Sequence, residues 1–326
     1  MYRPPSWPNR SIGPWTETGA APRRLALLMR RLALLAFIWG WSFLFIKVAG
    51  EGMTPSTVAA TRMALGLAVL LTVLRVRGLR LPAGALWWRH FAFVALVGSA
   101  LPFTLLAWGE QHVSSALTSV LNASTPLFAA MFVAAFLGER LRPVQVGGLL
   151  LGFVGVGVAA GLAGSDLAES SVAGEAAAVL AGVGYGASFA YTKRHLVGIP
   201  PLVAATGQLA AGTALLLPVA LVTSVREGMS LTPRRVLAIS LLGVFGTGIA
   251  YVLNYRSIAE LGPTVASVVT YLVPVVAVVV GVAFLDEPFE LRLLVGGALT
   301  VAGIVLLNGR PLRRPPAPTH APAAGH

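Results

Sequence analysis

Ten long apolar stretches follow one another along the chain, at roughly 32–50, 55–75, 87–109, 114–137, 141–162, 172–193, 201–223, 235–257, 263–285 and 291–308. A bilayer-spanning helix needs about 20 apolar residues. None of the ten alternates at period two, as a lipid-facing barrel strand would. Helices are the remaining way to satisfy every backbone N–H and C=O in hydrocarbon. Hydrophobic residues make up 56% of the 326 and charged residues only 11%, against about a quarter charged in a soluble domain. A water-soluble two-domain fold is excluded on that ground. The expected fold is an all-α integral membrane protein with ten transmembrane helices.

Charge then sets the orientation. The net charge is +12, but most of it lies in short runs beside apolar stretches, such as Arg23-Arg24, Arg30-Arg31 and Arg75 to Arg80. Placing the N-terminus in the cytoplasm collects most basic residues on the inner side, as the positive-inside rule requires, and brings the C-terminus inside too. Arg226, Arg234, Arg235 and Arg292 are left outside. Plasma-membrane location and contact with anionic lipid follow as expectations. Nucleic-acid binding is not expected, because no motif supports it. With no cysteine, disulfides and thiolate metal sites are excluded, and no cofactor or metal is expected.

The two halves match each other at an offset of 148. Thr118-Ser119-Val120 meets Ala266-Ser267-Val268, Pro126 meets Pro274, and Phe136-Leu137-Gly138-Glu139 meets Phe284-Leu285-Asp286-Glu287. Nearer the start of each half the offset shrinks. Trp39-Gly40 meets Tyr185-Gly186, Ser42 meets Ser188, Lys47 meets Lys193, and Val58-Ala59-Ala60-Thr61 recurs as Val203-Ala204-Ala205-Thr206. Each half holds five stretches, an odd number, so the second repeat should lie inverted. The expected domains are a cytoplasmic tail at 1–31, repeats at 32–162 and 172–308, and a cytoplasmic tail at 309–326, both tails disordered. Inverted repeats mark alternating-access carriers, with a substrate site near the midplane at the repeat interface.

Several motifs carry a family resemblance. They are Trp39-Gly40-Trp41-Ser42-Phe43 with Lys47, Asn122-Ala123-Ser124-Thr125-Pro126-Leu127-Phe128 through Leu137-Gly138-Glu139, and Gly246-Thr247-Gly248 through Pro274 to Leu285-Asp286-Glu287. In these the chain resembles the EamA-type transporters of the drug/metabolite transporter superfamily, over about residues 33–307. The resemblance implies ten helices, both termini inside, and export of amino acids or other small metabolites. Substrate identity does not follow from it.

Candidate site residues come from polar or aromatic groups inside the apolar stretches. A proline within a helix strips the carbonyl four residues earlier of its donor. Pro126 would free that of Asn122, and Pro274 that of Thr270, giving a paired set of polar groups for substrate; the alternative is a kink patched by neighbouring hydroxyls. Trp39 and Tyr185 could wall a cavity or serve as packing anchors, with Ser42 and Ser188 one turn away on the same faces. Lys47 and Arg62 are charges within spans, hence gating candidates. Lys47 is equally explained by snorkelling to the headgroups, and Glu51 is a candidate partner for Arg62. Glu110 is the candidate protonatable gate. A small-molecule substrate and membrane lipids are the expected partners, and a homodimer is compatible with the reading.

Three tempting patterns fail. Val183-Gly184-Tyr185-Gly186 imitates a channel filter but sits within one long apolar run. Gly155-Val156-Gly157 with Ala160 and Gly161 lacks the strand a dinucleotide loop requires. Gly148 with Gly152, and Gly157 with Gly161, read instead as close helix packing. No Walker A sequence is present, so ATP is not the direct energy source. The function expected is a secondary transporter and not an enzyme. A lipid flippase is the alternative; an intramembrane enzyme would want a metal motif or paired aspartates, which the spans lack.

Overall fold

The computed structural model describes residues 21–138, 140–161, 171–196, 198–261 and 269–308. Among these, all regular structure is helical. In chain order the rods are α1 (Ala21–Gly50), α2 (Pro55–Val76), α3 (Ala85–Gly109), α4 (Ser115–Leu137), α5 (Pro143–Ala159), α6 (Val172–His195), α7 (Pro201–Glu227), α8 (233–261), α9 (Val269–Phe284) and α10 (Leu291–Asn308). Seven helices are long and apolar enough to cross a membrane, namely most of α1, and α2, α3, α4, α6, α7 and most of α8. The apolar helices Pro143–Ala159, Leu272–Phe284 and Leu291–Leu307 are shorter. This is a multi-pass membrane protein.

The starts of the rods are written locally. Hydroxyl oxygens of Thr54, Ser114, Ser171 and Thr232 accept from the N–H three residues on, at 3.1–3.3 Å, each cap contributing about 1 kcal/mol. Pro55, Pro143, Pro201 and Pro233 occupy first-turn positions where no donor is needed. Gly138 ends α4 at φ 71°, the left-handed residue that terminates a helix. Two boundaries differ from the sequence expectation. α1 begins at Ala21 rather than near 32, so the basic run from Arg23 to Arg31 is helical. The tail 309–326, residues 1–20, Glu139 and the start of the ninth stretch lie outside the described residues.

The main packing pairs join a helix before residue 162 to one after 171. α1 lies on α9 and α6 on α4; α2 lies on α8 and α7 on α3; α2 meets α7, and α5 meets α10. Glycines allow the closest approaches. A Cβ on Gly40 would fall 2.5 Å from Val276 of α9, and one on Gly186 would fall 2.8 Å from Phe128 of α4. The α5–α10 seam is tighter still. Added carbons at Gly155, Gly296 and Gly303 would meet backbone nitrogens of Thr300, Ala159 and Gly152 at 2.4–2.5 Å, and one at Gly148 the Gly303 carbonyl at 2.6 Å. Gly148 and Gly152 therefore do pack closely, whereas Gly161 is a left-handed residue (φ 76°) closing α5. Between α2 and α7, Ser56 meets Thr223 at 2.8 Å and Thr57 meets Ser224 at 2.7 Å, hydroxyl contacts that replace the hydrophobic drive lipid does not supply.

Candidate substrate site

At matched places in the two halves, α3 and α8 depart from α-helical register. Leu96–Ala100 and Leu242–Ile249 are π-helical, the kind of local widening that recurs at functional sites. The N–H of Leu101 reaches back five residues to the Leu96 carbonyl, and that of Ala250 to the Phe245 carbonyl. Pro102, which follows the first segment, has no N–H to offer Gly98. One glycine carbonyl in each segment is then taken by a side chain from the other half. Gln208 Nε2 of α7 donates to Gly98 O at 3.3 Å, and Trp39 Nε1 of α1 donates to Gly246 O at 3.2 Å.

The serines flanking this crossing sit against the same two glycines. A Cβ on Gly98 would fall 2.2 Å from Ser188 Oγ, and one on Gly246 would fall 2.6 Å from Ser42 Oγ. Both serines are buried. Ser42 donates to Ile38 O one turn back at 3.0 Å. The contact is between helices, so only small residues fit on either side.

Arg62 lies in the middle of this arrangement, 5% exposed. Its Nε donates to Thr247 Oγ1 of α8 at 3.2 Å, and its guanidinium carbon sits 3.9 Å over the Phe103 ring of α3. Phe103 in turn meets Tyr185 edge-on, at 6.3 Å between ring centres. Tyr185, Tyr251 and, more weakly, Glu110 lie close enough to couple electrostatically to the guanidinium. Ser99 hydrogen-bonds Tyr251 and accepts from Gln208 Nε2 at 2.8 Å. The expected Arg62–Glu51 pairing is not formed. Glu51 instead faces Arg234 and Arg235 of α8 at 3.8 and 3.7 Å, because it sits in the α1–α2 turn while Arg62 is two turns down α2. Among the described residues no carboxylate lies within ion-pair distance of Arg62.

Lys47 turns into the protein rather than out to headgroups. Its Nζ donates to the carbonyls of Glu110 and Val113, the latter at 3.1 Å, and so binds the end of α1 to the end of α3. The Glu110 carboxylate, just past the end of α3, is 1% exposed. It accepts from Ser115 Oγ at 2.8 Å through one oxygen, while the other is buried without a partner. Burial pushes this carboxyl well above its ordinary range; the Ser115 bond and nearby Lys47 pull it back, and Glu287 adds to the rise. Glu287 accepts from the N–H groups of Ser115 and Ala116 at 2.7 and 3.1 Å, capping α4 from the α9–α10 turn. Two cavities open here. One of about 550 Å³ is lined by Lys47, Glu51, His112, Arg234 and Glu287 among others; a second of about 290 Å³ runs between Lys47, Ala107 and Glu110.

The proline pair divides. At Pro126, α4 is interrupted at Ala123–Ser124 and restarts with Thr125. The Asn122 carbonyl freed by the break accepts from Thr125 Oγ1 at 2.8 Å, the patch by a neighbouring hydroxyl. Asn122 Oδ1 is buried with no partner. Pro274 is buried within α9, whose described part runs through it unbroken, and Thr270 is half-buried on the same helix. The first half of α4 packs on α9, which brings the two proline-bearing helices together.

Ser99, Phe103, Gln208, Thr247 and Tyr251 were not singled out in sequence. They are polar or aromatic groups within apolar stretches, and that was the available signal. Thr247 stands inside Gly246-Thr247-Gly248, and Gln208 is one residue past Gly207, the repeat counterpart of Arg62.

Comparison with known proteins agrees with this architecture. Over 296 residues, 89% of this chain and 96% of the relative, the chain is 31% identical to a protein of Streptantibioticus cattleyicolor named "Probable terminal-alkyne amino-acid exporter". It is 28% identical over 289 residues to the uncharacterized transporter YvbV of Bacillus subtilis, covering 87% of this chain and 92% of that one. A solved crystal structure, 23% identical, shares the fold with a TM-score of 0.60 and covers 86% of this chain and 96% of its own. The model of the EamA-like transporter family matches twice, over residues 27–160 and 172–309. The chain belongs to the EamA-like transporter family.

Proposed function

We propose that the protein is a secondary carrier that exports amino acids or similar small metabolites by alternating access, through ten transmembrane helices arranged as two inverted five-helix repeats. The observation that carries this reading is the reciprocal crossing at the π-helical segments: Ser42 of α1 against Gly246 of α8, and its repeat counterpart Ser188 of α6 against Gly98 of α3. Two copies of one module inserted opposite ways up would make each contact twice, once in each half. Such a crossing brings α1, α3, α6 and α8 together at the centre, where carriers of this design hold substrate.

With both termini cytoplasmic, the cavities beside Lys47 and Glu110 face outward. Phe103 lies seven positions before Glu110, about 10 Å at 1.5 Å per residue, and Arg62 is not among the residues that line the smaller cavity. Near the opposite end of α3, His90 meets the Tyr191 hydroxyl at 2.9 Å and stacks on His195 at 5.3 Å between ring centres, and this contact is read as the closure on that side. An exchange of these two closures is the alternating-access step. In this reading Trp39 and Tyr185 wall the central site, Asn122 and Thr270 offer polar groups beside Pro126 and Pro274, and Lys47 with Glu110 forms the outer gate. The chain acts in the plasma membrane, its lipid-facing helix surfaces apolar.

The test is a proteoliposome screen of labelled amino acids and small metabolites, with and without a pH gradient. Saturable uptake of at least one amino acid is expected. Labelled phospholipid scrambling without solute transport would overturn the reading in favour of a flippase.

A further inference from the structure

We propose that Arg62 is the counter-ion for the substrate carboxylate, so that the carrier selects small monoanionic acids or amino acids with an apolar or aromatic body. This rests on the carrier reading above and deepens it.

A guanidinium is permanently charged and carries five N–H donors in a rigid fork. Inside a membrane protein such a charge is normally paired with a carboxylate or turned towards water. Arg62 is 5% exposed, and among the described residues no carboxylate pairs with it. Its Nε is spent on the Thr247 hydroxyl, and the Phe103 face lies beneath it. Those contacts fix the plane of the fork without neutralising it. Both neighbours also sit on the π-helical helices, Thr247 within the α8 segment and Phe103 three residues past that of α3, so the cation is positioned by the elements that the central crossing links. A buried cation with no described carboxylate at ion-pair distance, Glu110 acting on it only from further off, is a site whose partner arrives from outside.

The surroundings say what kind of anion. A carboxylate offers two coplanar oxygens that match the fork bidentately. Around it stand Phe103, Tyr185 and Tyr251, aromatic surfaces suited to an apolar side chain and, in the two tyrosines, hydroxyls that can bond a carboxylate oxygen.

The experiment uses the full-length protein in proteoliposomes, with each labelled amino acid found to be transported, its carboxamide and its decarboxylated amine. Wild-type protein should favour the acid over the carboxamide by about a hundredfold or more in kcat/KM, since a site built to bond a group rejects the analogue lacking it. Arg62→Gln should erase that preference. Arg62→Lys, which keeps the charge and loses the fork, should retain part of it and raise KM about tenfold. Arg62→Gln should also melt at or above the wild-type temperature in detergent, because a buried charge has been removed, and this separates a lost ligand from a lost fold. Equal transport of acid and carboxamide by wild-type protein would overturn the proposal while leaving the carrier reading intact. So would an unchanged acid preference in Arg62→Gln, or inhibition by inorganic phosphate stronger than by unlabelled amino acid. Absence of any solute transport by wild-type protein would remove both.

Discussion

Lys47 Nζ donates to the backbone carbonyl of Glu110, so one side chain holds the end of α1 against the end of α3 at the rim of both cavities. Replacing it with methionine leaves that carbonyl and the one of Val113 without this donor. Lys47→Met should lose about 1–3 kcal/mol of stability, measured by thermal unfolding in detergent. Under the outer-gate reading it should also quicken exchange across the liposome membrane, because the closed state loses a tie that the open state lacks.

Glu110 supplies a pH dependence of definite sign. Its carboxyl is pushed up by burial, so the folded protein binds the proton more tightly than the unfolded chain, whose group titrates near about 4.3. Stability from this group is therefore full at low pH and is lost as pH rises from the ordinary carboxylate range through the raised value. Glu110→Gln should flatten this part of the melting-temperature profile. It should also abolish the response of transport to a pH gradient while sparing substrate exchange, if this group is the proton site. A profile identical to wild type would refute the assignment.

Gly98 and Ser188 define the central crossing sterically. Gly98→Ala places a methyl 2.2 Å from Ser188 Oγ and should cost about 1–3 kcal/mol by overpacking. Pairing it with Ser188→Gly should cost less than the two single changes summed, a coupling that a double-mutant cycle reads directly. Gly246→Ala with Ser42→Gly is the matching cycle in the other half and should give coupling of the same sign.

The α5–α10 seam has a built-in control. Gly155→Leu or Gly303→Leu would drive a side chain into the facing backbone and should cost on the order of 3 kcal/mol or more, lowering the melting temperature and the yield of monodisperse protein. Gly147 faces open space on the same helix. Gly147→Leu should stay within about 0.5 kcal/mol of wild type.

Much of this was legible in the residue order, and the reasons are physical. Apolar length sets helix position because backbone satisfaction in lipid leaves few choices. The internal match exposed Trp39, Tyr185, Ser42 and Ser188, each of which the structure sets at or beside the central crossing. Arg62 was visible as a charge in a span, but its neighbours were not: Glu51 is close in sequence, whereas Thr247 and Phe103 come from α8 and α3 and depend on helix packing. The π-helical segments left little trace beyond Pro102, because a slip of one residue in hydrogen-bond register changes no hydrophobic pattern. From sequence alone, Lys47 is explained by snorkelling to the headgroups as well as by a gate. It turns inward because the ends of α1 and α3 converge there and the Glu110 and Val113 carbonyls need donors, a tertiary fact with no local signature.

The central claim is that residues 32–162 and 172–308 are one module inserted once each way up. The native chain has no cysteine, so single cysteines report without background. Arg140→Cys, after α4, and Pro288→Cys, after α9, occupy exposed positions at matched turns. In intact cells a membrane-impermeant maleimide should label the cysteine at 288 and leave that at 140 unlabelled until the membrane is permeabilised. Labelling of both from the same side would contradict the inverted repeat, and the alternating-access account with it.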